Sequence, residues 1–171
     1  DLVQQVSQLV FEAISEREEK LSTEVKDLDG QLAKLLRLVG REVMSMCLNE
    51  ASEKVTNESK KKGLVVHRRE KVKYAVIFGI VEINSPYLWQ KQEGWGIRPL
   101  VEKLGIKPGD RSIAVKRALT DFGAEESFGQ AAKRFQEHYG WTIERGAMRR
   151  EVEAIAVETE RYVEKRLNTE H

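Results

Sequence analysis

From Arg98 to Val152 the chain is cut into short pieces by helix starts and stops. Pro99 suits the first turn of a helix, where its missing N–H would be unpaired anyway, and Gly105 suits the end, so a short helix is predicted over 99–104. Lys107-Pro108-Gly109-Asp110 reads as a turn. Ser112 is placed to cap a second helix carrying Ile113, Val115, Ala118, Leu119 and Phe122, which Gly123 is expected to stop. Ser127-Phe128-Gly129-Gln130 has the Ser-x-x-Gln form in which hydroxyl and amide satisfy each other's free backbone donors. The next helix should start there, turn Phe128, Ala131, Ala132 and Phe135 inward, and end near His138-Tyr139-Gly140. Thr142 is then expected to cap a third helix bearing Ala147, Met148, Val152, Ile155 and Ala156, running on toward the C-terminus.

Three such helices with a turn after the second resemble a helix-turn-helix, whose third helix enters the major groove of DNA. With Gly140 as the glycine of the tightest turn, Gly146 and Arg149 would fall on inward positions; a turn about two residues longer returns Met148 and Val152 to the interior. Arg145, Arg149 and Arg150 then face outward beside Thr142, where guanidinium groups can fork onto guanine edges or grip phosphates. Lys133, Arg134, Lys116 and Arg117 extend the same basic region. The plainer alternative is a solvated arginine face paired with Glu144, Glu151 and Glu153.

Charge supports a polyanion partner despite a formal net charge of only +1. Residues 1–58 hold 7 Lys/Arg against 12 Asp/Glu and residues 151–171 hold 3 against 6, whereas residues 59–150 hold 19 against 10. A basic middle between acidic helices is the electrostatic footprint expected of a nucleic-acid surface, the plainer alternative being an ordinary solvated surface with uneven charge. At 171 residues the length fits one ordinary domain or two small ones joined by a helix. No apolar run reaches the roughly 20 residues of a membrane span and the acidic start has no secretion signal, so a cytoplasmic location and no membrane partner are expected. The single cysteine, Cys47, sits on an apolar helical stripe and is expected to be core packing.

Residues 1–58 are expected to form a helical hairpin. Leu2, Val6, Leu9, Val10, Ala13 and Ile14 share one helical face, and a charged run, Glu16 to Lys20, follows. Val25, Leu28, Leu32, Leu35 and Val39 then recur at alternating spacings of three and four, continued less regularly by Val43, Met46, Cys47, Ala51 and Val55. That is the spacing of a coiled-coil seam, fitting either a homodimer interface or a hairpin packed on its own domain. Gly30 and Gly40 each lower helix propensity by about 1 kcal/mol relative to Ala, which leaves room for a bend or break.

Residues 59–97 are expected to form a basic linker, Ser59-Lys60-Lys61-Lys62-Gly63, and a small antiparallel β element. Its extended segments are Leu64-Val65-Val66 and the β-branched, aromatic run from Val72 to Ile83, with Gly79 as a bulge or bend and Asn84-Ser85-Pro86 as a turn before Tyr87-Leu88-Trp89. Gly94-Trp95-Gly96 reads as a turn. His67, Arg68, Arg69, Lys71 and Lys73 flank these strands and either track a phosphate backbone or protect a strand edge with charge.

Gly79-Ile-Val-Glu-Ile, Tyr87, Arg98-Pro-Leu-Val-Glu-Lys-Leu-Gly-Ile, Ser112, Ala118, Glu126-Ser-Phe-Gly-Gln-Ala-Ala and Gly140-Trp-Thr-Ile-Glu-Arg-Gly-Ala-Met-Arg-Arg follow one another in an order that resembles the N-terminal half of bacterial insertion-sequence transposases of the ISKra group, over roughly residues 64–155. The resemblance implies binding to transposon terminal repeats by a helical domain, with cutting by a later Asp-Asp-Glu core on two metal ions. Many members carry paired cysteines between the positions like Tyr87 and Pro99; this chain has Trp89 to Gly96 there and no cysteine, so a zinc ribbon is not expected.

Two-metal chemistry needs carboxylates converging from strands and a nearby helix. Asp110, Asp121, Glu125 and Glu126 fall in turns and helix ends, and His67, His138 and His171 have no metal-ligand spacing. No nucleotide-binding loop and no nucleophile with an identifiable base is present. The sequence therefore predicts a mostly α, α+β protein with no enzymatic activity of its own, no metal and no cofactor. Its parts are a helical hairpin (1–58), a basic linker with a β element (59–97), and a helix-turn-helix-like bundle ending in a long helix (98–171). It is expected to homodimerise through its N-terminal helices and hold double-stranded transposon-end DNA, on the bacterial nucleoid. The rival readings are a helical protein-interaction module and a stand-alone DNA-binding regulator.

Overall fold

The computed structural model describes residues 1–15 and 28–168. The chain is a mostly helical α+β protein that divides into two compact units, Asp1–Val39 and Gly40–His171. In the first unit, α1 (Leu2–Ser15) opens with the Asp1 carboxylate accepting the Val3 N–H at 2.8 Å and buries none of its residues. Leu2, Val3, Leu9 and Phe11 are all strongly exposed, and so are Leu36 and Leu38 on the first part of α2 (Leu28–Lys61). Val25 and the charged run from Glu16 to Lys20 lie outside the described residues.

α2 continues unbroken through Gly30 and Gly40, where the sequence left room for a bend. At Gly40 the missing side chain serves packing, because a β-carbon there would come within 2.7 Å of the Phe78 ring. The second part of α2 lies along a two-stranded hairpin, β2 (Lys71–Val76) and β3 (Gly79–Asn84), which pair antiparallel from Lys71↔Asn84 to Val76↔Gly79. Asn49 satisfies the outer edge of β3: its side-chain amide donates to Glu82 O at 3.0 Å and its oxygen accepts the Asn84 N–H at 2.9 Å. The Ser52 hydroxyl donates to Asn84 O beside it. The Ser59–Lys61 run forms the last turn of α2, with Ser59 buried, and Gly63, at φ +87°, makes the exit. Cys47, expected in the core, is exposed, since the face of α2 that packs inward is the one bearing Met44, Leu48, Ser52 and Val55.

A second sheet has the order β1 (Val65–Arg68), β4 (Tyr87–Gln90), β5 (Trp95–Ile97), all antiparallel, with a bulge between Val66 and Arg68. Of Gly94-Trp95-Gly96 only Gly94 belongs to the turn, which spans residues 91–94; Trp95 and Gly96 belong to β5, where Gly96 pairs with Trp89 and its lack of a side chain lets the Tyr87 ring lie across the strand. Gly79 is the first residue of β3, directly after the two-residue Ile77-Phe78 turn, with a φ of +131° that a side chain would resist. Val72, Val76, Val81, Ile83 and Leu100 form one apolar core beside Met44 and Leu48.

α3 (Pro99–Leu104) ends on Gly105 in the left-handed conformation, as its sequence predicts. Ser112 caps α4 (Ile113–Glu125), accepting the Val115 N–H at 3.3 Å, and Ser127 caps α5 (Phe128–Tyr139), which closes on left-handed Gly140. Gly123 does not stop α4. The helix passes through it, and the absent side chain there serves close approach to α6 (Arg145–Leu167), since a β-carbon at Gly123 would lie 2.5 Å from Val152 Cγ2. Thr142 is not the cap of α6; Glu144 holds that position without a side-chain cap bond. The Trp141 indole N–H donates to Ile77 O at 3.1 Å and Ile143 packs on the helical core, so this stretch stays outside the helix, which starts later. Val115, Ala118, Leu119, Ala131, Phe135 and Met148 make that core, with Phe135 against Tyr139 and edge-on to Trp141. No helix among the described residues is long and apolar enough to cross a membrane.

Candidate nucleic-acid interface

The start of α6 has two sides. Ala147 and Met148 are buried in the helical core and Glu151 and Val152 are half-buried, so the 3.6-residue period turns Arg145, Arg149 and Arg150 to solvent. The inward side is fastened by an ion pair between Arg111 and Glu151 at 2.9 Å, with only 20 and 11 % of the two side chains exposed. Arg111 belongs to the Asp110–Ser112 segment that lines β2: the Ala75 N–H donates to Asp110 O at 3.0 Å and the Ser112 N–H to Ala75 O at 2.8 Å. The sheet edge, this segment and α6 are thereby tied together. Sequence reasoning passed over Arg111 because its partner lies 40 residues away.

A groove of about 400 Å³ opens between these parts, lined by Lys73, Tyr74 and Ile80 of the hairpin, Gly109 to Arg111, and Trp141 to Glu144. It brings Lys73 and Thr142, two of the residues singled out from sequence, to one place at the entrance to α6. Burial raises the Tyr74 phenol above its usual range, with Asp110 adding to the rise. Lys116 pairs with Asp110 at 3.2 Å, and that hydrogen bond holds its ammonium pKa above the ordinary value.

The remaining basic residues separate by partner. Arg149 Nε donates to Glu153 Oε1 at 2.6 Å, which raises its pKa further. Arg134 bonds both Glu125 at 3.3 Å and Glu126 at 2.7 Å and lies over the Phe122 ring, so it clamps the α4–α5 junction. Arg117 pairs with Asp121, Arg68 with Glu70, and Lys71 with Glu82. Arg145, Arg150, Lys133, Arg69 and Lys73 have no ion-pair partner among the described residues, and all five are exposed. Exposed pairs such as Arg149–Glu153 are worth at most about 1 kcal/mol, so a phosphate can take the carboxylate's place.

Among the described residues no group of three or more His, Cys, Asp or Glu is placed to hold a metal ion. His171 lies outside them. Of the carboxylates considered from sequence, Asp110 accepts the Arg111 N–H and pairs with Lys116, Asp121 pairs with Arg117, and Glu125 and Glu126 hold Arg134. No curated protein and no solved structure matches the chain. The model of one family matches residues 18–171, and the chain thus belongs to the uncharacterised protein family UPF0236.

Proposed function

We propose that this chain is the DNA-binding and dimerising part of a bacterial insertion-sequence transposase of the ISKra group, with α6 laid into the major groove of terminal-repeat DNA. The observation that carries the reading is the two-sided start of α6: Ala147 and Met148 anchor it, while Arg145, Arg149 and Arg150 project from its first two turns. The first turns of a recognition helix present residues to base edges in the same way. Lys133, on α5, and Lys73 and Thr142, at the groove beside α6, supply further contacts of the kind that position a protein on phosphates. The cutting chemistry is assigned to residues outside this chain, because Asp110, Asp121, Glu125 and Glu126 are each engaged with an arginine or a lysine. The protein works in the cytoplasm, on the nucleoid when bound, and needs no cofactor.

The dimerising part of the proposal rests on the exposed apolar residues of α1 and α2. The same exposure favours the rival reading, a helical interaction module with no DNA role. Titrating the chain against random duplex and against its element's terminal repeat, at low and near-physiological salt, separates them. Phosphate contacts predict a steep fall in affinity with salt, and end recognition predicts tighter binding to the repeat. Absence of duplex binding even at low salt would leave the interaction module standing.

A further inference from the structure

One face of the β1–β4–β5 sheet is closed by Leu88, which is fully buried. Side chains alternate along a strand, so Tyr87 and Trp89 stand on the opposite face, joined there by Val65, the cross-strand partner of Trp89, which is 42 % exposed. His67, exposed at the bulge of β1, lies 6.1 Å from the Tyr87 ring and 6.3 Å from the Trp89 ring, and the two aromatic rings are 6.4 Å apart. The Arg98 guanidinium sits 5.5 Å from the Tyr87 ring centre. Gly96, opposite Trp89, keeps the third strand low enough for Tyr87 to lie over it. The Trp89 indole N–H and the Tyr87 hydroxyl have no hydrogen-bond partner among the described residues.

On this outward strand face the exposed His67 ring and the half-buried Tyr87 and Trp89 rings offer flat surface on which other rings can stack. The stretch of chain that carries this face is basic, residues 59–98 holding 9 Lys/Arg against 3 Asp/Glu; Arg68 and Arg98 share Glu70, while Arg69 and Lys91 have no carboxylate partner among the described residues. Aromatic rings in a cationic field are the two ingredients of a single-strand platform, since every nucleobase has a face to stack and every linkage a phosphate to neutralise. We infer that this sheet face binds single-stranded DNA, with Trp89 and Tyr87 stacking on unpaired bases, His67 beside them, Arg98 held by Glu70 against the Tyr87 ring, and Arg69 and Lys91 following the backbone. The inference extends the DNA reading but does not use α6: the platform takes an unpaired strand, the helix a duplex.

The test is fluorescence anisotropy of labelled 12-mer oligothymidylate with the full chain, beside an abasic 12-mer of equal charge. Stacking predicts at least tenfold weaker binding of the abasic strand; equal binding would overturn the platform without any variant being made. Trp89→Ala should weaken oligothymidylate binding about tenfold or more, and Trp89→Phe should keep it within about threefold. An unchanged affinity in a Tyr87→Ala/Trp89→Ala protein with a native circular dichroism spectrum would also overturn it. Tighter binding of the matching ribo-oligonucleotide would overturn the assignment to DNA. Arg149→Ala/Arg150→Ala should leave oligothymidylate binding intact, so failure of the α6 reading and failure of this one are seen separately.

Discussion

Gly123 and Val152 meet where α4 passes α6, so closely that a β-carbon on Gly123 would lie 2.5 Å from Val152 Cγ2. Steric overlap of this size must be relieved by moving Val152 or the helix that carries it. Overpacking costs about 1–3 kcal/mol, while replacing a helical glycine by alanine gains at most about 1 kcal/mol in propensity, and less in the last turn, where Gly123 lies. Gly123→Ala should therefore help once Val152 is cut back and hurt while it is not. In urea unfolding, the double-mutant cycle with Val152→Ala should show a coupling above about 1 kcal/mol favouring the pair of alanines. Additive effects would mean that the two helices are not held at this distance.

Glu70 joins β1 to the start of α3, bonding Arg98 through Nε at 3.2 Å and Nη2 at 3.0 Å and pairing with Arg68. The Arg98 hydrogen bonds, aided by the charges of Arg68 and Arg98, hold its carboxyl below the usual carboxylate range. A folded pKa below the unfolded one means the contribution is complete above the unfolded value of about 4.3 and is lost as pH falls through the folded value. Between about pH 5 and pH 3 the wild-type melting temperature should consequently fall further than that of Glu70→Gln. Parallel curves would remove Glu70 from the acid response.

These two sites mark what could be read in the sequence. Ser112, Ser127, Gly105 and Gly140 were legible as helix ends because a cap satisfies donors or carbonyls within a few residues, and that chemistry is local. Gly123, Gly96 and Gly40 were not, because the atoms that require a glycine there belong to Val152, Tyr87 and Phe78. Trp141 delays α6 through a bond to Ile77, 64 residues away, and so Thr142 looked like a cap that it is not. Among the basic residues, composition marks the region but does not separate Arg150, which stands free of carboxylates among the described residues, from Arg134, which is held by two. The aromatic face went unread for the same reason: His67 and Trp89 meet only after β1 and β4 pair.

Self-association is predicted through the first unit. Leu36 and Leu38, which point to different sides of α2, are 46 and 54 % exposed, and a helix apolar on several sides is one that other helices cover. Placing charge there should separate chains without touching the cores at Val72 or Met148. Leu38→Asp is expected to lower the mass measured by light scattering to that of one chain, with the melting of the rest preserved. A wild-type protein already monomeric at tens of micromolar would refute the interface.

The proposed DNA contact at α6 predicts an order among three variants. Arg150 has no ion-pair partner among the described residues, whereas Arg149 must leave Glu153, 2.6 Å away, before it can meet a phosphate or a base. Arg150→Ala should then weaken duplex binding more than Arg149→Ala, and the double variant more than either, with circular dichroism unchanged. Each lost phosphate contact lowers the slope of log affinity against log salt by about 1. Glu153→Gln should act in the opposite direction: it frees Arg149 and removes a negative charge facing the DNA, so affinity at low salt should rise several-fold. If Glu153→Gln binds more weakly than wild type, the carboxylate is orienting Arg149 rather than competing for it. If the double arginine variant binds as well as wild type, α6 is not the helix that enters the groove.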